Sequence, residues 1–369
     1  MAQGHGHGGA AHRHPAPHLT IWRVGATLVG TVVGAGFASG QELHQFFGVH
    51  GAVGPVAALL AGVLLAAGLQ VFLTRLQEKT DAYPGETILL GFVSLSLPIM
   101  LAGGGAALQQ QLGWPTFAGE WLLAVAAVVV LWPGIRGLTA ANQFFVPLLS
   151  LCFVIAAGGA VGSRWGGAGH GHPGSGLLPV PEPEAVRASR LLGNWLQDLV
   201  IYAGYNGLLA LPVIAALARN SEASATSERA LRKGVWVGGL YLGVLAAVGT
   251  LLLLWPASGS STAALPLLQQ MRSVHPAFGW LYWLALLVEM WNTAVAALFA
   301  TADFLARRLA FPYRLSTIWV ASLALLVSPL GFVSLVGSIY PALGYIALLW
   351  FGWVGAGHWL RQHWGREMG

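Results

Sequence analysis

Charge is scarce in this chain. Asp, Glu, Lys and Arg make up 8% of its 369 residues, against about 25% in ordinary soluble domains. Cysteine is nearly absent: Cys152 stands alone, which excludes an internal disulfide and a cysteine metal cluster. There is no His-Glu-x-x-His run, no glycine-rich phosphate loop, and no nucleophile–base pair in the apolar segments. These absences argue against an enzyme and against a resident cofactor. Apolar residues, by contrast, make up 56% of the chain, so it reads as an all-α integral membrane protein with the bilayer as its surroundings. The net charge of +5 does not indicate nucleic acid, because the basic residues sit between apolar runs. Oligomeric state is not readable.

Ten apolar runs approach the roughly 20 residues that a membrane helix needs. They fall near 20–47, 52–76, 86–112, 116–133, 137–162, 191–218, 231–256, 276–306, 313–330 and 333–360. A short helix is expected at Ala264–Met271 between the seventh and eighth. Tryptophans near segment ends, among them Trp22, Trp114, Trp132, Trp195, Trp255, Trp280 and Trp359, fit an interfacial belt. Residues 1–18 hold five histidines among Gly, Ala and Pro, with no apolar core before a cleavage site. They read as a disordered cytoplasmic tail rather than a signal peptide. Metal binding there, or at the similar patch Gly169-His170-Gly171-His172, is the sharper alternative. The Gly- and Pro-rich loop 163–190 divides the chain into repeats 19–162 and 191–361, and 362–369 forms a second tail. With the N-terminus inside, 14 of the 18 Lys and Arg fall on the inner side and 4 on the outer. Both termini are therefore expected in the cytoplasm, in a bacterial inner membrane. Five segments is an odd number, so the second repeat enters from the opposite side, an inverted 5+5 arrangement.

The first segment breaks where a membrane helix should not. Glycines Gly30, Gly34, Gly36 and Gly40 precede Gln41 and Glu42 inside one apolar run. Backbone freed from a helix in hydrocarbon must be satisfied by protein, water or a ligand. An echo, Ile201-Tyr202-Ala203-Gly204-Tyr205-Asn206-Gly207, opens the second repeat. Both share Ala-Gly-aromatic, so helices 1 and 6 are expected to be broken and to face one site. Ala35, Gly36 and Phe37 would offer N–H groups to an anionic solute group, and the carbonyls of Gly30 and Val33 would face a cation. Tyr202, Ala203, Gly204, Tyr205 and Asn206 would complete the pocket. Alternatively, Gly30-x-x-x-Gly34 and Gly36-x-x-x-Gly40 are helix-packing motifs.

The eighth segment carries Glu289, Asn292 and Thr293 near its middle. Positions 289, 292, 293, 296 and 300 share a helical face, and oxygen ligands of this kind suit a hard cation. A structural hydrogen-bond network is the alternative. Glu42 and Asp198 lie six residues from Gly36 and Gly204, on the outer side of each break. They are candidates for a gating or proton-linked pair, or for ordinary solvated carboxylates. Asp303 and Arg307 read as a structural i,i+4 pair, and Glu120 as a solvated interfacial residue.

The run Gly30-Thr31-Val32-Val33-Gly34-Ala35-Gly36-Phe37-Ala38-Ser39-Gly40-Gln41-Glu42 resembles the signature of the bacterial YkvI-like membrane protein family, within the amino acid–polyamine–organocation superfamily. The ten-segment layout over 20–360 resembles the leucine-transporter (LeuT) fold. That resemblance implies a sodium ion between first-helix carbonyls at Gly30 and Val33 and side chains at Asn292 and Thr293, with Glu289 one turn away. The chain departs from sodium-coupled relatives, which carry Thr/Ser or Ser/Ser where it has Asn292-Thr293. The lysine that some proton-coupled relatives place on the fifth helix is absent from 137–162, and the Asp-Pro-Gly of metal-ion transporters is absent from the break. The expected function is cation-coupled symport of a small polar solute by alternating access. Sodium stands ahead of a proton as coupling ion, and an amino acid is one candidate solute. A non-transporting receptor or regulatory subunit on the same fold is the alternative, and a channel, which would conduct without accumulating solute, is another.

Overall fold

The computed structural model describes residues 20–77, 86–132, 151, 193–220, 225–254 and 263–364. The His-rich tail, loop 163–190 and, apart from Leu151, the fifth segment lie outside the described residues.

The first segment is α1 (Ile21–Val32), α2 (Ala35–Ser39) and α3 (Gln41–Phe46), followed by a 3-10 turn over Gly48–Val53. Thr20 caps α1 by accepting the Arg23 N–H at 3.2 Å. The helix stops because Gly34 takes extended backbone, φ −102 and ψ −170, and its N–H turns to Val32 O at 2.8 Å. Gly40 ends α2 at φ 81, a left-handed conformation that glycine adopts without a Cβ penalty. The expected break in helix 1 is therefore present.

Next come α4 (Gly54–Gln77), α5 (Glu86–Leu112), α6 (Thr116–Leu131), α7 (Trp195–Asn220) and α8 (Ala225–Leu254). The short helix expected near 264–271 is α9 (Pro266–Val274). The chain then runs through α10 (Pro276–Leu309), α11 (Tyr313–Val327) and α12 (Phe332–Trp364). Six described helical stretches are long and apolar enough to cross a membrane. Nine of the ten expected spans coincide with described helices.

Helix 6 corrects the sequence reading. Trp195–Asn220 is one unbroken helix through Tyr202, Ala203 and Gly204. Gly204 and Gly207 are isolated glycines with no proline between them, and Asn206 keeps its side chain local, donating Nδ2 to Tyr202 O at 3.0 Å. Single glycines weaken a helix by about 1 kcal/mol each without ending it. The first break needs Gly34 in extended backbone and Gly40 in left-handed backbone, and the echo contains neither.

The helices pack as two groups. One consists of α1, α4, α7 and α8; the other of α5, α6, α10 and α11. In the first, bare backbone replaces side chains at the contacts. A Cβ on Gly62 would meet Gly239 O at 2.4 Å, and one on Gly234 would meet Val24 Cβ at 2.4 Å. In the second, Gly105 of α5 and Gly119 of α6 touch in the same way, a Cβ on Gly119 lying 2.8 Å from Gly105 Cα. With no hydrophobic drive between helices in lipid, such close approach is what holds them. Helix α12 packs on both groups through α7 and α5, and α2 lies against α10.

Side-chain contacts tie helix ends together in two sets. In one, Gln70 Nε2 donates to Arg232 O at 2.6 Å and Arg314 stacks 5.0 Å over Trp132. In the other, Gln270 Nε2 donates to Leu252 O at 2.7 Å, Arg272 donates to Gln110 O at 3.0 Å, and His50 pairs with Asp198 at 2.6 Å. Each contact joins helix ends that the expected alternation puts on the same side. Helix α10, at 34 residues, rises about 50 Å and overruns the roughly 30 Å hydrocarbon core. Asp303 and Arg307 pair at 2.7 Å near its far end, as expected.

Candidate functional site

A cavity of about 390 Å³ lies between the two groups at the helix 1 break, within the range of small-molecule sites. Thr31, Val32, Gly34, Ala35 and Gly36 line it from the break; Glu42, Tyr205, Asn206 and Tyr340 close one end. The other end is lined by Val93, Ser96, Thr293, Ala296 and Ala300, all part-exposed. It opens toward the face marked by Arg232 and Arg314. The closed end lies under an aromatic layer, in which Tyr202 sits 4.8 Å from Phe47 and 5.4 Å from Tyr205, and Tyr205 stacks on Tyr340 at 5.2 Å. Above it, α9 presses Leu267 onto Gly40.

The break does what its glycines allow. The Gly34 N–H points to Val32 O, so the bond it would make to Gly30 O in an intact helix is not made. A Cβ on Gly30 or Gly34 would meet nothing within 4 Å, so this pair is not a helix-packing seam. Gly36 is different: a Cβ there would lie 2.8 Å from Glu42 Oε2 and 2.9 Å from Tyr340 Cε2.

The expected site residues separate into two sets. Ala35, Gly36, Glu42, Tyr205, Asn206 and Thr293 line the cavity. Phe37, Tyr202 and Ala203 are buried beside it, and Gly204 packs on α12 near Gly344 O. Gly30 is exposed at the end of α1, and Val33 is buried behind the lining. On α10 the supposed single polar face divides: Thr293, Ala296 and Ala300 face the cavity, whereas Glu289 and Asn292 are buried off it. Glu289 Oε2 and Asn292 Nδ2 are both buried without a hydrogen-bond partner, an arrangement that buried polar groups rarely keep.

Three carboxylates take unexpected partners. Glu42 accepts the Tyr205 hydroxyl at the closed end of the cavity. Asp198 accepts from His50 and, at 3.1 Å, from the Gly193 N–H. The two acids are thus held by different partners, and both are buried. Glu120, expected in solvent, is buried and accepts the Ser328 hydroxyl at 2.8 Å, linking α6 to the end of α11. Sequence reasoning missed Tyr340, Met100, Phe92 and Ser96, which line the cavity from α12 and α5. Tyr340 stands next to Pro341 in α12, the one local signal that could have drawn attention to it.

No family model matches the chain. It is 28% identical over 345 residues to the uncharacterized membrane protein YkvI of Bacillus subtilis (strain 168), covering 88% of this chain and 92% of that one. A shorter likeness, 24% over 145 residues and 35% of this chain, links it to the uncharacterized protein YyaD of the same organism. Among solved structures it resembles MhsT in complex with L-phenylalanine, with a TM-score of 0.52, 16% identity, and coverage of 91% and 90% of the two chains. Likeness to YkvI along almost the whole sequence and the architecture shared with MhsT mark a multi-pass membrane protein with a LeuT-like fold.

Proposed function

We propose that the chain is a cation-coupled secondary transporter of a small polar solute, working by alternating access. One observation carries this reading: a cavity at a backbone break, mid-way along the first helix, between two separately packed helix groups. Unsatisfied backbone at membrane depth is tolerated where it lines a cavity, and transporters of this type bind solute at such breaks. MhsT, which shares the architecture, was solved in complex with L-phenylalanine; this supports an amino acid or a similarly sized molecule as the solute.

Sodium is the preferred coupling ion. Gly30 O, released by the turn of Gly34, and the Val33 carbonyl at the end of α1 stand next to lining residues of the break and would supply backbone oxygen, and Thr293 lines the cavity from α10. Asn292 and Glu289, buried off the cavity with Asn292 Nδ2 and Glu289 Oε2 unpartnered, would join the site only by turning toward it. Hard oxygen donors of this kind suit sodium. An ion bound there would tie α1 to α10, one helix from each group, and so couple binding to their relative position. One charge crossing the membrane field supplies about 2.3 kcal/mol per 100 mV. By the distribution of basic residues, the open end is cytoplasmic and the conformation inward-facing.

The test is thermal stability of the purified protein across a panel of amino acids and small polar solutes, in sodium and in potassium. A ligand of the folded state raises the melting temperature by mass action. A solute-dependent rise that needs sodium and disappears in Thr293→Ala supports the symporter. A panel without any shift, in either salt, removes the reading and favours a receptor or regulatory subunit.

A further inference from the structure

The cavity carries one carboxylate, Glu42, and no Lys, Arg or His among its lining residues. Its one carboxyl group has no cationic side chain beside it. The first N–H groups of α2, at Ala35 and Gly36, would ordinarily draw an anion. Here the chain's own carboxylate stands against that turn, with Glu42 Oε2 only 2.8 Å from where a Gly36 Cβ would lie. A solute carboxylate in the same place would meet a like charge in poorly solvated surroundings, where charges repel more strongly than in water.

Beside the tyrosine hydroxyls, the closed end offers one acceptor without a partner. Asn206 is wholly buried and lines the cavity; its Nδ2 is spent on Tyr202 O, and its Oδ1 has no partner. Tyr205 has given its proton to a bond with Glu42 Oε1. Its ring stacks on that of Tyr340, and the faces of such rings attract cations. A buried carboxyl group with no cationic side chain beside it, next to an amide oxygen without a partner, is complementary to a group that brings N–H bonds and a positive charge.

We infer that the transported solute carries an ammonium group, held at the closed end of the cavity by Glu42 and Asn206 Oδ1. Its body is compact and apolar, lying along Val32, Phe92, Met100 and Leu209. This rests on the transport reading only in taking this cavity as the solute site. It replaces the expectation that the break receives a solute carboxylate as its main anchor.

The experiment is equilibrium binding to the purified full-length chain in lipid nanodiscs, with no ion gradient, in sodium and in potassium. The probes are pairs that share a body and differ in charge: 2-phenylethylamine against 3-phenylpropionate, and butylamine against pentanoate. At least one amine is expected to bind ten times or more tightly than its carboxylate partner. Glu42→Gln, nearly isosteric, is expected to abolish that preference while the melting temperature confirms a folded protein; Asn206→Leu should weaken amine binding on its own. Carboxylates that bind as well as the amines, a panel in which no amine binds, or a preference that survives Glu42→Gln would each overturn the inference. Should Glu42→Gln not fold, the wild-type comparison and Asn206→Leu still decide. Uptake into proteoliposomes separates the two readings: amine binding without uptake sinks transport and keeps the ammonium site, and uptake of an anion does the reverse.

Discussion

Substituting alanine at each of the four glycines of the first helix tests whether they serve a break or a packing seam. Gly30 is exposed, and a Cβ there meets nothing within 4 Å. Only helix propensity remains, so Gly30→Ala should be neutral or stabilising by up to about 1 kcal/mol. Gly34 is extended with an open surround, and Gly34→Ala should fold normally. At Gly36 a methyl would lie 2.8 Å from Glu42 Oε2 and 2.9 Å from Tyr340 Cε2. Overpacking of that kind costs about 1–3 kcal/mol, more than the propensity gain. Because the atoms displaced line the cavity, the loss should appear in solute affinity, roughly five- to 150-fold. Gly40→Ala combines left-handed backbone at φ 81 with a Leu267 Cγ contact at 2.5 Å, and should cost the most stability, about 2 kcal/mol or more. Melting of the four purified variants, followed by binding titrations, gives both readouts. If Gly30→Ala and Gly34→Ala prove the most damaging pair, the glycines pack helices, and the assignment of the break to binding is wrong.

Other positions give independent checks by thermal melting. Ser328→Ala leaves the buried Glu120 carboxyl without its donor and should destabilise by about 1–3 kcal/mol; Ser328→Thr, which keeps the hydroxyl, should recover part of this. Removing the ring in His50→Ala takes the 2.6 Å imidazole contact away from the fully buried Asp198, a loss of about 2 kcal/mol or more. Gly62→Leu would force α4 off α8, where Gly239 O stands 2.4 Å from the first added carbon; it should prevent accumulation of folded protein, read as monodisperse yield after extraction. Asp303→Asn breaks only a surface pair whose arginine is 68% exposed and should change stability by less than about 1 kcal/mol.

Most of the scaffold was legible from apolar run length, because a bilayer sets helix length and leaves little choice of secondary structure. The break at residues 33–34 was legible too, since four glycines and a polar run inside one span have no good helical solution. The echo at 203–207 misled for a local reason. It repeats the letters Ala-Gly-aromatic, but a lone glycine in a helix costs less than the hydrogen bonds that unwinding would forfeit in hydrocarbon. The site was half legible. Glu42, Tyr205, Asn206 and Thr293 were named from polarity. Their grouping was not, because helical spacing specifies which residues share a face and leaves open which neighbour that face meets. Hence Glu289 and Asn292 were placed with Thr293 although they turn away from the cavity, and Glu42 was matched with Asp198 although tyrosine and histidine hold the two acids. Tyr340 arrives from almost three hundred residues away, a distance over which periodicity carries no information.

The contacts between the two helix groups are unevenly distributed, and this makes a mechanical prediction. On the closed side, the Tyr282 hydroxyl of α10 donates to Ala38 O of α2, Leu267 of α9 covers Gly40, and Gln45 of α3 donates to Val333 O of α12 at 3.0 Å. Toward the open side, cavity lies between Thr31 of α1 and Thr293 of α10. If the groups exchange between inward- and outward-open states, the closed-side contacts are those that must break. Each then biases the equilibrium by its own worth, about 0.5–1.5 kcal/mol for a hydrogen bond, or roughly two- to twelvefold in population. Tyr282→Phe keeps the ring and removes the bond, so it should move the population toward the outward-open state. Labelling of a cysteine placed at Ala35, in a background with Cys152 replaced by Ser, would report it: reagent added from the closed side should react two- to twelvefold faster in Tyr282→Phe than in its parent. An unchanged rate with intact folding would mean that α2 does not part from α10, and the two groups would then be a static packing arrangement rather than moving parts.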